Sequence, residues 1–267
     1  MIAHPSTDRR QRLLENLAQV RETIAAACAR AGRRADSVHL VVVTKFADPE
    51  LIRLLLAADV RDLGENRVQQ LVARAAGLGA SREGLPDEAA REAAPGPSPL
   101  PRWHMVGHLQ RNKVKPLLRC CRVLHSLDSL RLAEAIEQQL ERPAEPDPRP
   151  LDAFLEVNVS GEASKGGVGW DQAAPLAEAL QRMRHVRLRG LMTMAPLEAD
   201  PQRARPCFAR LRELLQDLRR RGVVADRCVH LSMGMTHDYA VAIEEGATYV
   251  RIGTAVFEGL LPEAAAG

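Results

Sequence analysis

A lysine and an arginine interrupt two of the most apolar stretches of the sequence. Lys45 ends the stretch HLVVVTK, and Arg251 stands between Val250 and Ile252. A charged side chain in such a place needs either a route to solvent or a partner. An amine held away from water has a lowered pKa and becomes a nucleophile toward carbonyl groups. The pattern favours a carbonyl-binding lysine beside a buried cation. A solvent-exposed lysine at a strand end and an arginine paired with Glu156 are the structural alternatives.

Small and hydroxyl-bearing residues follow the last two apolar stretches of the chain. They are Ser-Met-Gly-Met-Thr at 232–236 and Ile-Gly-Thr at 252–254. Glycine lets backbone N–H groups approach an anion, and hydroxyl groups add further donors. Ordinary turns use the same residues, so each segment alone is a weak signal. Together with a reactive lysine they predict a phosphorylated aldehyde or ketone as ligand, either pyridoxal 5′-phosphate (PLP) or a sugar phosphate in a Schiff-base aldolase.

Short apolar runs alternate with helical patterns along most of the chain. Several runs are continuously apolar, which is typical of strands buried on both faces of a parallel sheet. Eight such strand–helix units in about 250 residues favour a (β/α)8 TIM barrel of the α/β class over a doubly wound open sheet. In a barrel, the strands that carry Lys45 and Arg251 are neighbours, so both side chains should line one cavity. The predicted strands are 38–45, 62–66, 103–107, 122–127, 153–159, 188–194, 229–233 and 249–257.

The remaining segments predict one domain that spans residues 1–267, with its core at about 38–259. Residues 8–31 have helical periodicity and form an extra N-terminal helix before the first strand. Residues 77–101 are rich in Gly, Pro and Ala and predict a mobile loop, and residues 142–150 are rich in Pro. Neither segment separates two halves that could each hold a core.

Composition excludes several classes of function. Lys and Arg number 37 against 34 Asp and Glu, so the net charge of +3 gives no reason to expect nucleic acid or a membrane as partner. Aromatic residues make up only 3%, too few for base stacking. The five cysteines form no Cys-x-x-Cys pair and no apolar signal sequence starts the chain, which predicts a reduced, cytoplasmic protein. No His or Cys spacing is typical of a metal site, so we expect none.

Motifs in the same order along the chain make the sequence resemble the pyridoxal 5′-phosphate homeostasis protein family, which has the fold of the alanine racemase N-terminal barrel. The resemblance rests on segments that run from about residue 38 to 259. It is carried by Val-Thr-Lys at 43–45, Gly-Glu-Asn at 64–66, Trp-His-Met-Val-Gly at 103–107, Glu-Val-Asn at 156–158, Lys-Gly-Gly at 165–167, Gly-Leu-Met-Thr-Met at 190–194, Leu-Ser-Met-Gly-Met at 231–235 and Val-Arg-Ile-Gly-Thr at 250–254.

The resemblance implies a role for each matching residue. Lys45 corresponds to the lysine that holds PLP as a Schiff base, and Arg251 to the arginine that faces the pyridine nitrogen. Lys165 matches a further lysine in the loop after the fifth strand, whose role is open. The other cofactor-binding positions are Asn66 near the ring, Ser232, Gly253 and Thr254 at the phosphate, and Gly234 and Met235 in the same loop.

The resemblance also implies a carrier of PLP in vitamin B6 homeostasis, with PLP-requiring apo-enzymes as candidate partners. An arginine at the ring nitrogen weakens the electron sink on which PLP enzymes depend. The chain ends soon after the eighth strand, so a second domain that carries a base is not expected. We therefore expect no catalytic residue and a monomer.

An amino-acid racemase is the alternative function. An aldolase is disfavoured because the sixth strand offers Met192, Thr193 and Met194 rather than a lysine. The sequence departs from the family pattern in two places. The residues at 236–238, Thr-His-Asp, differ in type, and the 77–101 loop is longer than usual.

Overall fold

The computed structural model describes residues 5–79, 100–142, 149–162 and 165–261, with side chains from residue 8 onward. Most of the predicted mobile loop, residues 80–99, lies outside the described residues. So do residues 143–148 of the Pro-rich segment.

Eight parallel strands close into a barrel in which each strand pairs with its neighbours in sequence and β1 pairs with β8. The (β/α)8 prediction is confirmed, and the open doubly wound sheet is excluded because its first and last strands would not pair. The strands are β1 (His39–Val43), β2 (Asp62–Glu65), β3 (Arg102–Met105), β4 (Val123–Leu127), β5 (Leu151–Glu156), β6 (Val186–Met192), β7 (His230–Ser232) and β8 (Tyr249–Ile252).

Helices cover the outside of the barrel. The capping of α2 shows how the sequence starts one of them: the Asp48 carboxylate accepts a hydrogen bond from the backbone N–H of Leu51 at 2.9 Å, and Pro49 occupies the first turn. The described helices are α1 (Pro5–Arg30), α2 (Pro49–Ala57), α3 (Val68–Leu78), α4 (Val114–Leu118), α5 (Leu130–Leu140), α6 (Trp170–Leu180), α7 (Arg205–Arg220) and α8 (Tyr239–Glu244).

The predicted N-terminal helix is α1. Its buried residues Leu13, Leu17, Val20 and Ile24 recur at helical spacing and join the core between strands and helices. The helix packs against α2 and α8, so it covers the seam where β8 meets β1.

Several observed strands are shorter than predicted at their C-terminal ends. β1 ends at Val43 rather than at Lys45, and β8 ends at Ile252 rather than at Phe257. Pairing stops where the chain turns out of the barrel, while apolar residues such as Val256 and Phe257 remain buried after the turn. Burial continues past the last ladder hydrogen bond, which is why an apolar pattern overestimates strand length.

The barrel interior is a second, smaller core, separate from the layer under the helices. It contains Val41, Val123, Phe154, Met192 and Tyr249, all fully buried. Its two aromatic rings are in contact: Phe154 meets Tyr249 edge to face with ring centroids 5.3 Å apart.

The described helices include none with the length and apolar character that a membrane span requires.

Candidate functional site

A cavity of about 190 Å³ opens where β1 and β8 end. The carboxyl ends of barrel strands are where ligands bind in this fold. Two cationic side chains, Lys45 and Arg251, face the same space, as their positions on neighbouring strands predict. The full lining is Val43, Lys45, Phe46, Met235, Thr236, His237, Arg251, Gly253, Thr254, Phe257 and Leu261.

Lys45 lies in the turn that follows β1 and is half-buried rather than fully desolvated. Its Nζ lies 4.6 Å from the centroid of the Phe46 ring. An ammonium group at this distance is attracted to the negative face of an aromatic ring. The amine therefore has contact with both the cavity and an aromatic wall, a position from which it can reach a bound carbonyl compound.

Side chains of α3 form hydrogen bonds to the backbone around Lys45. The Gln70 side-chain amide donates to the Lys45 carbonyl oxygen at 3.3 Å. The Arg74 guanidinium donates to the carbonyl oxygens of Thr44 and Ala47, each at 2.6 Å. These bonds fix the turn on both sides of Lys45, so the position of the amine depends on α3 as well as on β1.

Arg74 also forms an ion pair with Glu65, whose side chain is fully buried at the end of β2. Burial is the cause that lowers the pKa of Arg74. The Thr44 hydroxyl is a second partner of the Glu65 carboxylate. A buried carboxylate of this kind is tolerated only while its cation stays in place.

Arg251 is buried and held by two protein acceptors. One guanidinium nitrogen donates to the Ser232 hydroxyl at 2.5 Å and the other to the Thr193 carbonyl oxygen at 3.0 Å. Burial lowers its pKa to about 10, against the opposing charges of Glu156 and Asp238. Arg251 is therefore a cation at neutral pH. Among the described residues it forms no ion pair with a carboxylate, so the alternative of a structural ion pair with Glu156 is not realised.

Two glycines allow the close backbone approach at the rim of the cavity. Gly234 has φ +94°, and a Cβ on it would lie 2.7 Å from the Cβ of Ala242. A Cβ on Gly253 would lie 3.1 Å from the Val43 carbonyl oxygen. Larger residues would push β8 away from β1 or rebuild the loop after β7. Thr254 next to Gly253 is exposed and faces the cavity.

Five of the eight cofactor-binding positions named from the sequence line this cavity, and three do not. Gly234 lies next to the lining residue Met235 in the loop after β7. Ser232 is fully buried behind Arg251. Asn66 lines a separate depression of about 170 Å³ with Arg67, His108 and Lys113. Its Oδ1 is buried and has no hydrogen-bond partner among the described residues. Contacts from Ser232 and Asn66 to a cofactor remain predictions.

Sequence reasoning missed several residues of the cavity wall. Phe46, His237 and Phe257 line it but were not assigned a role. His237 belongs to the segment 236–238, where the family pattern is broken. The signal for Phe46 and Phe257 was their closeness to Lys45 and Thr254 in sequence, which places them on the same turns after β1 and β8.

One group of possible metal ligands occurs among the described residues, and it lies away from the cavity. It consists of Glu137, Glu141 and His185. The Glu137 carboxylate already accepts backbone N–H groups of Arg184, His185 and Val186 at the start of β6. Its oxygens have a structural role that explains the cluster without a metal.

The chain matches the family described as alanine racemase, N-terminal domain, over residues 14–260. A pyridoxal phosphate homeostasis protein of Aquifex aeolicus is 40% identical over 243 residues, which cover 91% of this chain and 96% of the relative. PipY of Synechococcus elongatus PCC7942, solved with PLP bound, is 28% identical with a TM-score of 0.71 over 92% of this chain and 99% of PipY. A structure of an unknown protein from Bifidobacterium adolescentis is 34% identical with a TM-score of 0.81 over 96% and 98%.

The agreement extends over nearly the whole barrel, from the N-terminal helix through β8, and includes the strands that carry Lys45 and Arg251. It is therefore not limited to a shared architecture. The chain belongs to the family of pyridoxal phosphate homeostasis proteins, which is built on the alanine racemase N-terminal domain.

Proposed function

We propose that this chain binds PLP through Lys45 and functions in intracellular PLP homeostasis. The observation that carries the proposal is that Lys45 and Arg251 share one cavity with Gly253 and Thr254. When bound, PLP supplies an aldehyde that a lysine amine captures reversibly. Binding of PLP by PipY, a relative with the same fold, supports the assignment.

The residues of the cavity suit the parts of this ligand. The rim of Gly253 and Thr254 offers backbone and hydroxyl donors to a phosphate. Arg251 donates at most five N–H groups, of which Ser232 and Thr193 take two. The others can donate to the ring nitrogen, and a permanent cation there keeps that nitrogen unprotonated. Phe46 and Phe257 supply apolar walls.

Borohydride trapping followed by peptide mass spectrometry tests the proposal. Reduction should leave the pyridoxyl mass on Lys45 and remove the visible absorbance of the complex. Lys45→Ala should lose both signals and keep the wild-type far-ultraviolet circular dichroism. Lys115→Ala, which removes an exposed lysine of α4, is the matched control and should behave as wild type. A trapped mass on any other lysine in the wild-type protein would contradict the assignment.

The proposal includes the absence of efficient catalysis. An unprotonated ring nitrogen gives little stabilisation to a carbanion, and a racemase also needs a base at the substrate α-carbon. His237 is the observation that favours the enzyme alternative, because its imidazole lines the cavity. We expect it to remain solvated, since the residue is exposed.

Incubation of the PLP-loaded protein with L-amino acids in deuterium oxide separates the two functions. A carrier should show no α-deuterium incorporation above that of free PLP with the same amino acid. Exchange that is faster than with free PLP and is lost in His237→Ala would favour the racemase. We further propose that the protein is a monomer that passes PLP to apo-enzymes in the cytoplasm. Its five free, buried cysteines suit a reducing compartment.

A further inference from the structure

A line of hydrogen bonds crosses the barrel interior from the start of β2 to Arg251. Asp62 Oδ1 lies 2.8 Å from His104 Nε2, and His104 Nδ1 lies 2.9 Å from His125 Nε2. His125 Nδ1 lies 2.7 Å from the Ser232 hydroxyl, which accepts from Arg251. These four hydrogen bonds connect five residues, one from each of the strands β2, β3, β4, β7 and β8.

The chemistry of the two ends determines where the hydrogens lie. Asp62 is a carboxylate at neutral pH: burial opposes its charge, but His104 and Arg102 outweigh burial and hold its pKa at about 2. A carboxylate only accepts, so His104 Nε2 carries a hydrogen. Arg251 only donates, so the Ser232 oxygen accepts from it and the single Ser232 hydrogen is left for another acceptor.

The two imidazoles can therefore exist in two hydrogen-bonded states. His104 Nδ1 and His125 Nε2 share one hydrogen, because their distance is that of a hydrogen bond. When the pair is neutral, His125 Nδ1 carries no hydrogen and accepts the Ser232 hydroxyl. When the pair takes up one proton, His125 Nδ1 becomes a donor to Ser232, and the serine hydrogen must turn away from His125.

The surroundings favour the neutral pair. Burial lowers the pKa of His125 well below its ordinary value, and the charges of His104 and Arg251 act in the same direction. Phe154 stacks on the His125 ring with centroids 4.4 Å apart and excludes water from it. The charged and titratable groups that face the pair from the other elements are His39 of β1, Asp62 of β2, Arg102 of β3, Glu156 of β5, His230 of β7, Tyr249 and Arg251 of β8, and Asp238 before α8.

We propose that Asp62, His104 and His125 are positioning residues that orient the Ser232 hydroxyl toward His125, so that Ser232 presents its oxygen to Arg251 and holds the guanidinium at the cavity. The three side chains lie behind the cavity and do not line it. They act through hydrogen bonds alone, and no proton is transferred to the ligand. The orientation exists in the protein without a ligand. Its effect on PLP binding rests on the proposed function.

Nitrogen NMR of isotope-labelled histidine in the ligand-free protein tests the arrangement directly. At neutral pH both rings should be Nε2–H tautomers, with a coupling across the hydrogen bond between His104 and His125. Ser232→Ala should shift the His125 Nδ1 resonance to that of a nitrogen without a donor. Thr193→Val removes another buried hydroxyl but keeps the carbonyl that binds Arg251, and should leave that resonance in place. A protonated His125 Nδ1 at neutral pH in the wild-type protein would overturn the proposal.

The positioning effect is measured as PLP affinity. His125→Phe keeps an aromatic ring against Phe154 but removes the acceptor of the Ser232 hydroxyl, so the dissociation constant should rise roughly tenfold, as for one lost hydrogen bond at a charged group. His39→Phe replaces another ring of the same interior, stacked on Tyr249, and should stay within about twofold of wild type. Equal affinity of the His125→Phe and wild-type proteins would refute the positioning role. Failure of wild type to bind PLP would count against the proposed function alone, because the NMR experiment contains no PLP.

Discussion

Arg251 combines full burial with a permanent charge and has neutral partners in the structure. Its two identified acceptors are a hydroxyl and a backbone carbonyl, so its charge is not cancelled by a salt bridge. Burying a cation without a close counterion is costly. The proposed binding of PLP at this cavity provides a reason for that cost, since an anionic ligand nearby would stabilise the charge.

At the same cavity, Thr254 is the residue that best separates phosphate binding from ring binding. Its side chain is exposed and lines the rim beside Gly253. Removing one hydroxyl donor to an anion costs roughly 1.5–3 kcal/mol, or about tenfold or more in affinity. Thr254→Ala should therefore weaken PLP by about that factor and leave pyridoxal, which has no phosphate, nearly unaffected in fluorescence titrations. Equal losses for both ligands would place the phosphate elsewhere.

At the scale of elements, the turn after β1 depends on α3. Gln70 and Arg74 donate to three backbone carbonyl oxygens of the turn, those of Thr44, Lys45 and Ala47. A short turn of this kind has few contacts of its own. The Lys45 amine is thus placed by a helix that follows the next strand, so its position in the cavity depends on the packing of α3.

We predict that breaking the Arg74–Glu65 pair destabilises the protein and that restoring neutrality rescues part of the loss. Arg74→Met should lower the free energy of unfolding by about 3–5 kcal/mol, because Glu65 would remain buried as an unpaired charge. The double variant Arg74→Met with Glu65→Gln should recover part of this loss in urea unfolding at neutral pH. A double variant no more stable than Arg74→Met would show that the backbone contacts of Arg74, rather than the pair, account for the effect.

At the scale of the whole molecule, the barrel interior contains titratable side chains as well as apolar ones. Its interior contains His39, His104, His125 and His230 among the aromatic rings, together with Asp62 at the end opposite the cavity. Hydrogen bonds connect that end to Arg251 through five strands. Stability and ligand binding should therefore respond to pH through groups that are far from the cavity.

Asp62 should make stability depend on pH below neutrality. Its pKa is about 2 in the folded protein and about 3.9 in an unfolded chain. A depressed carboxyl pKa stabilises the fold above the unfolded value and loses that contribution as the pH falls through the folded value. In urea unfolding, Asp62→Asn should cost up to about 2.5 kcal/mol at neutral pH and progressively less toward acid.

The matched control is Asp226→Asn, which removes an exposed carboxylate. It should give only a small change in stability at neutral pH, as for a surface substitution. If the Asp62→Asn difference were the same at neutral and acid pH, the folded protein would not hold the pKa of Asp62 below its unfolded value.

Much of the architecture can be predicted from the sequence because its signals are local. Continuous apolar runs separated by amphipathic helices specify a parallel α/β fold, and their number favours a closed barrel. Closure in turn makes the strands of Lys45 and Arg251 neighbours, so a shared cavity is predicted before any coordinate is known. The motifs around Lys45 and Gly253 indicate the family for the same reason: each is a short segment at a strand end.

The contacts between distant segments were decided only by the tertiary structure. His104 and His125 are separated by 21 residues, and His125 and Ser232 by 107, yet both pairs are hydrogen-bonded. Periodicity shows which side of a strand a residue faces but not the stagger of neighbouring strands around a barrel, and a small change in stagger would separate these atoms. The same geometry places Ser232 behind Arg251 rather than in the cavity wall, because the side chain that extends furthest toward the opening is the long guanidinium.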